Sequence, residues 1–455
     1  MISRKKASVF FNRRSFIKTS AAGLGAVLTA AKRKQSMPGS LKDKPARVMT
    51  NRPLEKVRLG IVGVGMQGAG HVRNFLNIEG VEIKAVCDLV PEKVQRMQKW
   101  VTDAGFAEPR AYTRGELDFI RMCEQEDLDL VFTATPWQWH VPICLAAMKN
   151  GSHAATEIPA ADTEEGCWEL VEAAEKYQKH CVMMENCCYG RYEMLVLNMA
   201  RRGLFGELLH SECGYLHDLR NYKVGGLYEG DWRIKYSIER NANLYPTHGL
   251  GPVAQLLGIN RGDQFDYLVS MSGPARGLNA YAAEKLGPDH EYARVKYALG
   301  DLNLTLIKTK LGRTIYLVHD TNLPRPYSRI NLFQGTRGLF QGYPNRIHIE
   351  GRSPAHRWQE ADEYLEEFEH PLWRNIGEKA RGAGHGGMDY LEDYRLIQCL
   401  LRGEPMDMDV YDAAAWSVVI ALTEISVAEK SRPIDFPDFT RGLWRKREPL
   451  GIVSG

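Results

Sequence analysis

The 455-residue sequence predicts an α/β domain followed by an α+β domain, on three observations. Hydrophobic residues make up 44% and charged residues 25% of the chain, which is typical of a globular protein. From about residue 56 to 188, short apolar runs alternate with helical patterns, which predicts a parallel sheet with right-handed crossovers. Beyond about residue 190, strand-length segments predict a mainly antiparallel sheet.

The elements follow in a regular order along the first domain. Five apolar runs predict its strands, at 57–63, 81–88, 128–134, 153–157 and 181–185. Helical patterns lie between them or follow them, at 69–76, 91–101, 141–149, 163–178 and 192–202. Later strands are predicted at 267–272, 302–307 and 314–319, and later helices at 389–402 and 411–430. We therefore divide the chain into a linker (32–55), a first domain (56–188), a second domain (189–440) whose C-terminal helices return to the first, and a tail (441–455).

The charge distribution marks the N-terminus as different from the rest. The chain has 59 Lys+Arg and 56 Asp+Glu, a near balance that argues against a nucleic-acid binder. Residues 1–50 nevertheless hold 12 basic residues and one acidic residue, and Arg13-Arg14-Ser-Phe-Ile-Lys18 precedes an apolar stretch at 21–31. This pattern resembles a twin-arginine signal, so we expect residues 1–31 to direct export by that machinery to the periplasm. The alternative is a basic disordered tail, and we expect no transmembrane span, because no apolar run reaches roughly 18 residues.

The nine cysteines are an odd number without regular spacing, which predicts buried free thiols rather than a disulfide framework. There is no CxxC or HExxH pattern, and the scattered histidines do not have metal-ligand spacing. We therefore expect no metal site.

A glycine motif lies between the first predicted strand and its helix. Gly63, Gly65 and Gly68 permit a tight turn and close approach of the backbone to a pyrophosphate at a helix N-terminus. Asp88 follows the second strand, 20 residues after Gly68, where a carboxylate accepts hydrogen bonds from a ribose and repels a 2′-phosphate. The sequence therefore predicts a Rossmann dinucleotide-binding domain with NAD as its cofactor.

Two further segments lie at predicted strand ends. The aromatic run Thr135-Pro-Trp-Gln-Trp-His140 could line a nicotinamide or sugar site, or could be ordinary packing. With Glu157-Ile158-Pro159, the first domain resembles the glucose–fructose oxidoreductase-like (Gfo/Idh/MocA) superfamily. That superfamily usually has Glu-Lys-Pro here, and the Lys is catalytic in many of its dehydrogenases. Ile158 replaces that Lys, which argues against a plain dehydrogenase.

Longer motifs narrow the resemblance. They are Glu185-Asn-Cys-Cys-Tyr189, Gly214-Tyr-Leu-His-Asp218, Asp231-Trp-Arg233, Leu244-Tyr-Pro-Thr-His-Gly249, Arg325-Pro-Tyr327, Gly384-His-Gly-Gly-Met-Asp-Tyr390 and Ile434-Asp-Phe-Pro-Asp-Phe439. With these motifs the chain resembles glycoside hydrolase family 109 over roughly residues 56–440. The resemblance implies an α-N-acetylgalactosaminidase that acts on glycans with terminal α-linked N-acetylgalactosamine and keeps NAD tightly bound and recycled.

The resemblance also implies the site residues, position by position. NAD contacts are implied at the glycine motif and at Met66, Gln67, Asp88, Trp137, Gln138, Trp139, His140, Glu157, Ile158 and Asn186. Substrate contacts are implied at Tyr215, Arg233, Tyr245, Pro246, Thr247, His248 and Tyr327, and the glycine-rich turn suggests His385 as well. Met66-Gln67 departs from the Leu-Arg expected there.

The mechanism that the resemblance implies has no net redox change. The sugar is oxidised at C3, deprotonated at C2, loses its aglycone by elimination from C1, and then gains water and is reduced again. Two proton-transfer groups are needed, and His248 and Tyr189 match the residues beside the reacting carbons. Their plainer interpretations are a helix-capping histidine and a packed core tyrosine.

Three alternatives remain. A sugar oxidoreductase with net NAD turnover would use the same fold, and a non-catalytic sugar-binding module would keep it without chemistry. A glycosidase with two carboxylates flanking the bond is the third, but no local motif selects a pair among the 56 acidic residues. The resemblance also suggests that the second domain forms a homo-oligomer.

Overall fold

The computed structural model describes residues 46–47, 49–225 and 231–452. Its first sheet contains six strands: β1 (Val57–Val62), β2 (Val81–Cys87), β3 (Arg110–Tyr112), β4 (Leu130–Thr133), β5 (His153–Thr156) and β6 (Cys181–Met183). Five helices connect them: α1 (Met66–Phe75), α2 (Pro91–Asp103), α3 (Asp118–Gln125), α4 (His140–Lys149) and α5 (Glu164–Tyr177). Strand β3 and helix α3 are absent from our sequence prediction.

The strands of this sheet are ordered β3-β2-β1-β4-β5-β6, and all neighbouring pairs are parallel. The strand order reverses between β1 and β4, which is the position where such sheets bind dinucleotides. Parallel pairing brings the carboxyl ends of β1, β2, β4, β5 and β6 to one edge. The predicted Rossmann arrangement is confirmed.

The second sheet has nine strands. They are β7 (Leu208–Leu216), β8 (Phe265–Ser272), β9 (Leu302–Thr309), β10 (Thr314–Asp320), β11 (Leu332–Gly335), β12 (Gly338–Gln341), β13 (Arg346–Ile349), β14 (Gln359–Glu360) and β15 (Ile434–Asp435). The order is β14-β13-β12-β11-β7-β10-β9-β8-β15. Only the β7–β10 pair is parallel among the named strands of this sheet, so the mainly antiparallel prediction is confirmed.

Helices cover this sheet and return to the first one. They are α6 (Arg191–Arg201), α7 (Arg220–Val224), α8 (Trp232–Glu239), α9 (Thr247–Leu257), α10 (Gly277–Leu286), α11 (Glu291–Arg294), α12 (Leu365–Phe368), α13 (Pro371–Ala380), α14 (Met388–Arg402), α15 (Val410–Ser417) and α16 (Val419–Ala428). Helix α14 packs against α1, and α15 packs against α5 and β6. The second half of the chain therefore completes the environment of the first sheet.

The stretch Val410–Ala428 corrects one expectation and bears on another. The predicted helix at 411–430 is two helices, which meet at Val418. The 19 residues Val410–Ala428 have a mean hydropathy of 1.4, so by length and composition they could cross a membrane, and the expected absence of a span stays a prediction. Because 78% of this stretch is buried inside the fold, as in many core helices, it is weak evidence for a span. The predicted signal at 1–31 and most of the linker lie outside the described residues.

Glycines allow helix α9 to lie directly on strand β7. A Cβ atom at Gly249 would come within 2.5 Å of the backbone nitrogen of Gly214, so any larger residue would push the helix away. This close approach brings His248 beside the end of β7. All nine cysteines are buried and free, as their spacing predicted.

Candidate active site

The turn after β1 has the geometry of a phosphate cradle. Gly63 has φ of +83°, and a Cβ at Gly68 would overlap the carbonyl oxygen of Gly63. Helix α1 starts after Gly65 without a side-chain cap and without an acidic residue in its first turn. Its first N–H groups are therefore available to an anion, which the helix dipole also favours.

Asp88 is fixed at the carboxyl end of β2. One of its carboxylate oxygens accepts a hydrogen bond from the backbone N–H of Val64 at 2.9 Å, and the other accepts one from Val90 at 2.9 Å. The carboxylate is thereby held beside the glycine turn, where a ribose hydroxyl can reach its remaining lone pairs. The cradle and the carboxylate together fit an adenine dinucleotide.

In the aromatic segment after β4, the tryptophans pack against other rings, whereas the histidine contacts backbone carbonyl groups. Trp137 is buried and packs against Tyr245, with ring centroids 5.7 Å apart. His140 instead has Nδ1 2.7 Å from the carbonyl oxygen of Pro159 and Nε2 2.8 Å from that of Thr135, and burial lowers its pKa. Its ring therefore fixes the loop, so a cofactor contact at His140 would have to come from its backbone. Trp139 packs on Phe119, with centroids 6.1 Å apart.

Glu157 is held by a buried histidine. His71 Nε2 lies 2.8 Å from Glu157 Oε1, and His71 Nδ1 lies 2.9 Å from the carboxylate of Asp393. Burial lowers the pKa of His71, but the charge and hydrogen bond of Asp393 and the contact with Glu157 outweigh it and raise that pKa well above its usual range. An imidazolium therefore bridges the end of β5 to helix α14. The next residue, Ile158, is 2% exposed and has no polar group to offer the cofactor edge.

A second carboxylate on α14, that of Asp389, contacts further side chains predicted to bind the cofactor. Asp389 accepts a hydrogen bond from Asn186 Nδ2 at 2.7 Å and lies 2.8 Å from His385 Nδ1. The Gln67 amide nitrogen lies 3.5 Å from the same carboxylate, whereas Met66 is exposed. The hydrogen bond to Asp389 raises the pKa of His385, whose side chain remains 54% exposed.

His248 is positioned by a buried carboxylate. Its Nδ1 lies 2.7 Å from Oε1 of Glu185, which is fully buried and also accepts a hydrogen bond from the N–H of Cys187. Burial raises the pKa of Glu185, but the charge and hydrogen bond of His248 hold it below its usual value, so Glu185 is ionised. Within the described part of the chain, His248 Nε2 makes no hydrogen bond. A carboxylate-backed imidazole of this kind can exchange a proton with a ligand.

Aromatic rings surround His248. Its ring centroid lies 5.2 Å from Tyr215 and 5.0 Å from Tyr245, and Tyr327 lies 6.1 Å from Tyr215. The Arg233 guanidinium lies over the Tyr245 ring at 5.4 Å. Rings that carry hydroxyl groups provide both apolar faces and hydrogen-bonding edges, which suit a sugar. The neighbouring predicted residues are less accessible to a ligand, because Thr247 is fully buried and Pro246 precedes the first turn of α9.

Tyr189 lies differently from our prediction. Its hydroxyl donates to Asp407 Oδ2 at 3.0 Å, and Asp407 also accepts two hydrogen bonds from Arg395. The side chain is 3% exposed, and burial together with Asp407 raises its pKa well above 10. The phenol therefore belongs to a buried structural network, and in this structure it is not placed to exchange a proton with a ligand.

Several residues of this site were not predicted from the sequence. They are His71, Glu185, His217, Asp389, Glu392 and Asp393. Glu185, His217 and Asp389 stand inside motifs that we quoted, so the motifs held a signal for them. His71 and Asp393 gave none, because the two residues in contact are 322 positions apart along the chain.

Two groups of possible metal ligands converge among the described residues. One is Glu185, Cys187 and His248, and the other is His71, Glu157 and Glu392. In each group the histidine is hydrogen-bonded to a carboxylate of the group. The expected absence of a metal stays a prediction.

The fold and the site define a class: an enzyme with an NAD-binding Rossmann domain whose strand ends adjoin an aromatic, carbohydrate-type site. Residues 57–185 match the description "Oxidoreductase family, NAD-binding Rossmann fold", and residues 189–446 match "Glycosyl hydrolase 109, C-terminal domain". The chain belongs to glycosyl hydrolase family 109 and is an NAD-dependent glycoside hydrolase.

Curated relatives match over nearly the whole length. A glycosyl hydrolase family 109 protein of Shewanella pealeana is 47% identical over 453 residues, covering 97% of this chain and 99% of that protein. A protein of Shewanella oneidensis named alpha-N-acetylgalactosaminidase is 45% identical over 459 residues, with the same coverage.

Solved structures of other enzymes share the fold. A levoglucosan dehydrogenase in complex with NADH and L-sorbose has a TM-score of 0.66 at 19% identity, covering 85% of this chain and 100% of that one. An inositol dehydrogenase homolog from Azotobacter vinelandii in complex with NAD+ has a TM-score of 0.64 at 18% identity, covering 85% and 99%.

Proposed function

We propose that this chain hydrolyses terminal α-linked N-acetylgalactosamine with retention, by transient oxidation at C3 and elimination, with NAD tightly bound and recycled. The observation that carries the proposal is the Glu185–His248 pair, a proton-transfer group beside the predicted NAD edge. The Shewanella oneidensis relative named for this activity supports the substrate.

The chain's own residues have three tasks in this reaction. The glycine turn and the N-terminus of α1 would hold the pyrophosphate, and Asp88 would hold the ribose. Bound NAD supplies the reversible oxidation of the sugar at C3, which acidifies the hydrogen on C2. The rings of Tyr215, Tyr245 and Tyr327 orient the sugar and displace water from it. His248 exchanges a proton with the sugar at Nε2, and the Glu185 carboxylate stabilises the protonated imidazole.

A direct experiment separates this proposal from its rivals. Purified protein is incubated in deuterated water, without added cofactor, with a chromogenic α-N-acetylgalactosaminide. We expect release of the aglycone and incorporation of deuterium at C2. Hydrolysis without exchange at C2 would refute the elimination route, stoichiometric accumulation of NADH would favour a sugar oxidoreductase, and binding without turnover would favour a binding module.

We also propose export through the twin-arginine pathway to the periplasm, supported by Arg13-Arg14 and the apolar stretch that follows. Cell fractionation of the full chain and of an Arg13→Lys/Arg14→Lys variant tests this. The variant should remain inside the cell, and equal periplasmic amounts of both would overturn the proposal.

A homo-oligomer is supported by the outer face of the second sheet. Met271 and Leu304 are direct cross-strand partners on β8 and β9, and both are exposed, as are Leu306 and Tyr267 nearby. Apolar side chains exposed together on one sheet face are typical of an interaction surface. Light scattering of the full chain, compared with a Met271→Lys/Leu304→Lys variant, should show a loss of mass on substitution; a monomeric wild-type chain would refute the idea.

A further inference from the structure

We propose that Tyr215 and His217 form the second proton-transfer group of the site, in which the Tyr215 hydroxyl exchanges a proton with the sugar and His217 takes the phenolic proton. This inference rests on the proposed function, because that reaction needs a proton-transfer group beside the one at His248. The Tyr189 hydroxyl is hydrogen-bonded to the buried Asp407 and does not serve as that group in this structure.

The backbone fixes the two side chains on one face. Tyr215 lies on β7 and His217 follows its last residue, so the two residues are separated by two positions and point to the same side. The N–H of His217 donates to the carbonyl oxygen of Asp320 on β10 at 2.8 Å, which continues the strand pairing past Leu216. The pair is therefore held by the sheet and not by a loose loop.

The side chains are in direct contact. Tyr215 Oη lies 2.9 Å from His217 Nδ1, which is a normal hydrogen-bond distance. If the phenol donates, the imidazole carries its own proton on Nε2 and has its lone pair on Nδ1. The hydroxyl also lies on a ring whose centroid is 5.2 Å from that of His248, so both proton-transfer groups border the same small volume. The proposed reaction moves protons at two neighbouring carbons of one sugar, so it needs both groups beside the same volume.

The surroundings keep His217 in the accepting form. Burial lowers its pKa, and the charges of His248, Arg233 and His385 lower it further, against the opposing charge of Asp218. The rings of Tyr215, Tyr222 and Tyr327 complete its surroundings. At neutral pH the imidazole is therefore uncharged and can accept a proton.

The proton balance is simple. The sugar gives a proton to Tyr215 Oη and keeps the bonding electron pair, while the phenolic proton of Tyr215 moves to His217 Nδ1. The products are a deprotonated sugar, a neutral tyrosine and an imidazolium, and the reverse transfer returns the proton later in the cycle. A tyrosine alone would be a poor base, because only about a thousandth of an ordinary phenol is ionised at pH 7.

The kinetic test uses His217→Asn, because an asparagine oxygen can replace Nδ1 as a hydrogen-bond acceptor but cannot take the proton. We expect kcat on the chromogenic substrate to fall about 100-fold with KM nearly unchanged. Tyr215→Phe should have a similar effect, and the double variant should be no slower than the slower single variant. Near-wild-type kcat in His217→Asn, or losses that multiply in the double variant, would overturn the relay.

The matched control is His210→Asn, at the far end of the same strand. His210 bonds to Thr314 and lies outside the site, so its replacement should leave kcat unchanged. Thermal unfolding of all variants checks that each is folded before kcat is compared.

A second measurement does not depend on the substrate. In ¹⁵N-histidine NMR spectra at pH 7.5, the His217 signals are identified by their loss in His217→Asn. We expect the proton on Nε2 and an unprotonated Nδ1, with a changed titration in Tyr215→Phe. A proton on Nδ1, or identical titration in both proteins, would overturn the relay whatever the sugar, whereas wild-type inactivity toward the α-N-acetylgalactosaminide would refute the proposed function alone.

Discussion

Replacing Glu185 by Gln tests whether this buried carboxylate supports proton transfer at His248. The substitution keeps the shape of the side chain and an oxygen that can accept from Cys187, but it removes the negative charge. In the structure Glu185 Oε1 lies 2.7 Å from His248 Nδ1, and Glu185 is fully buried. Two unit charges about 4 Å apart interact by about 4 kcal/mol at an effective dielectric constant near 20.

A neutral hydrogen bond to the amide would keep about 1 kcal/mol of this stabilisation. The net loss of about 3 kcal/mol corresponds to a fall in kcat of about 100-fold or somewhat more. KM should change little, because the fully buried Glu185 acts on the sugar only through His248.

The assay is initial-rate hydrolysis of the chromogenic α-N-acetylgalactosaminide, with retained NAD measured by absorbance after denaturation. Glu165→Gln, the same substitution at an exposed position on α5, is the matched control and should behave as wild type. A Glu185→Gln protein with normal kcat would refute the argument that Glu185 assists His248. Equal losses of kcat and of bound NAD would instead make Glu185 a structural residue.

Three further predictions concern the fold around the site. Tyr189→Phe should lower the free energy of unfolding by about 1–3 kcal/mol, because it removes a buried hydrogen bond to a charged group. It should change kcat by less than about threefold. Urea denaturation and turnover assays measure the two effects, and a large loss of kcat in a stable protein would show that Tyr189 takes part in the reaction. Gly249→Ala should destabilise the protein by about 1–3 kcal/mol, because the new methyl group would meet the backbone of β7; a normal unfolding midpoint would contradict the close approach. His71→Asn should lower the free energy of unfolding most below pH 6.5, where the contribution of the imidazolium is complete. The difference from wild type should shrink as pH rises through the raised folded-state pKa of His71. Urea unfolding at several pH values measures this difference, and a difference that grows at alkaline pH would contradict the prediction.

Local patterns were sufficient for most of the first domain. Apolar runs located five of the six parallel strands, because a buried strand is apolar along its whole length. Strand β3 was missed because three residues at a sheet edge, two of them exposed, leave no periodic signal. The helix boundary at Val418 was missed because both helices beside it are apolar on nearly all sides.

In the candidate site too, contacts between residues adjacent in sequence could be predicted, and contacts between distant residues could not. The glycine turn and Asp88 could be predicted because strand, turn and helix are adjacent in sequence. The position of the Tyr189 hydroxyl could not, because it depends on Asp407, which lies 218 residues further along the chain. Glu185 lies within a recognisable motif, but its role depends on the position of α9, since that helix brings His248 to it.

The bridge from His71 to Asp393 has a consequence for the order in which the enzyme is completed. The two residues are 322 positions apart, so a chain emerging from the ribosome presents His71 and Asn74 long before Asp393 has been synthesised. Until then Glu157 has no anchored partner, although the glycine turn and Asp88 are already present. The adenine half of the cofactor cradle is thus encoded early in translation, whereas the catalytic edge is finished only when nearly nine-tenths of the protein has been made.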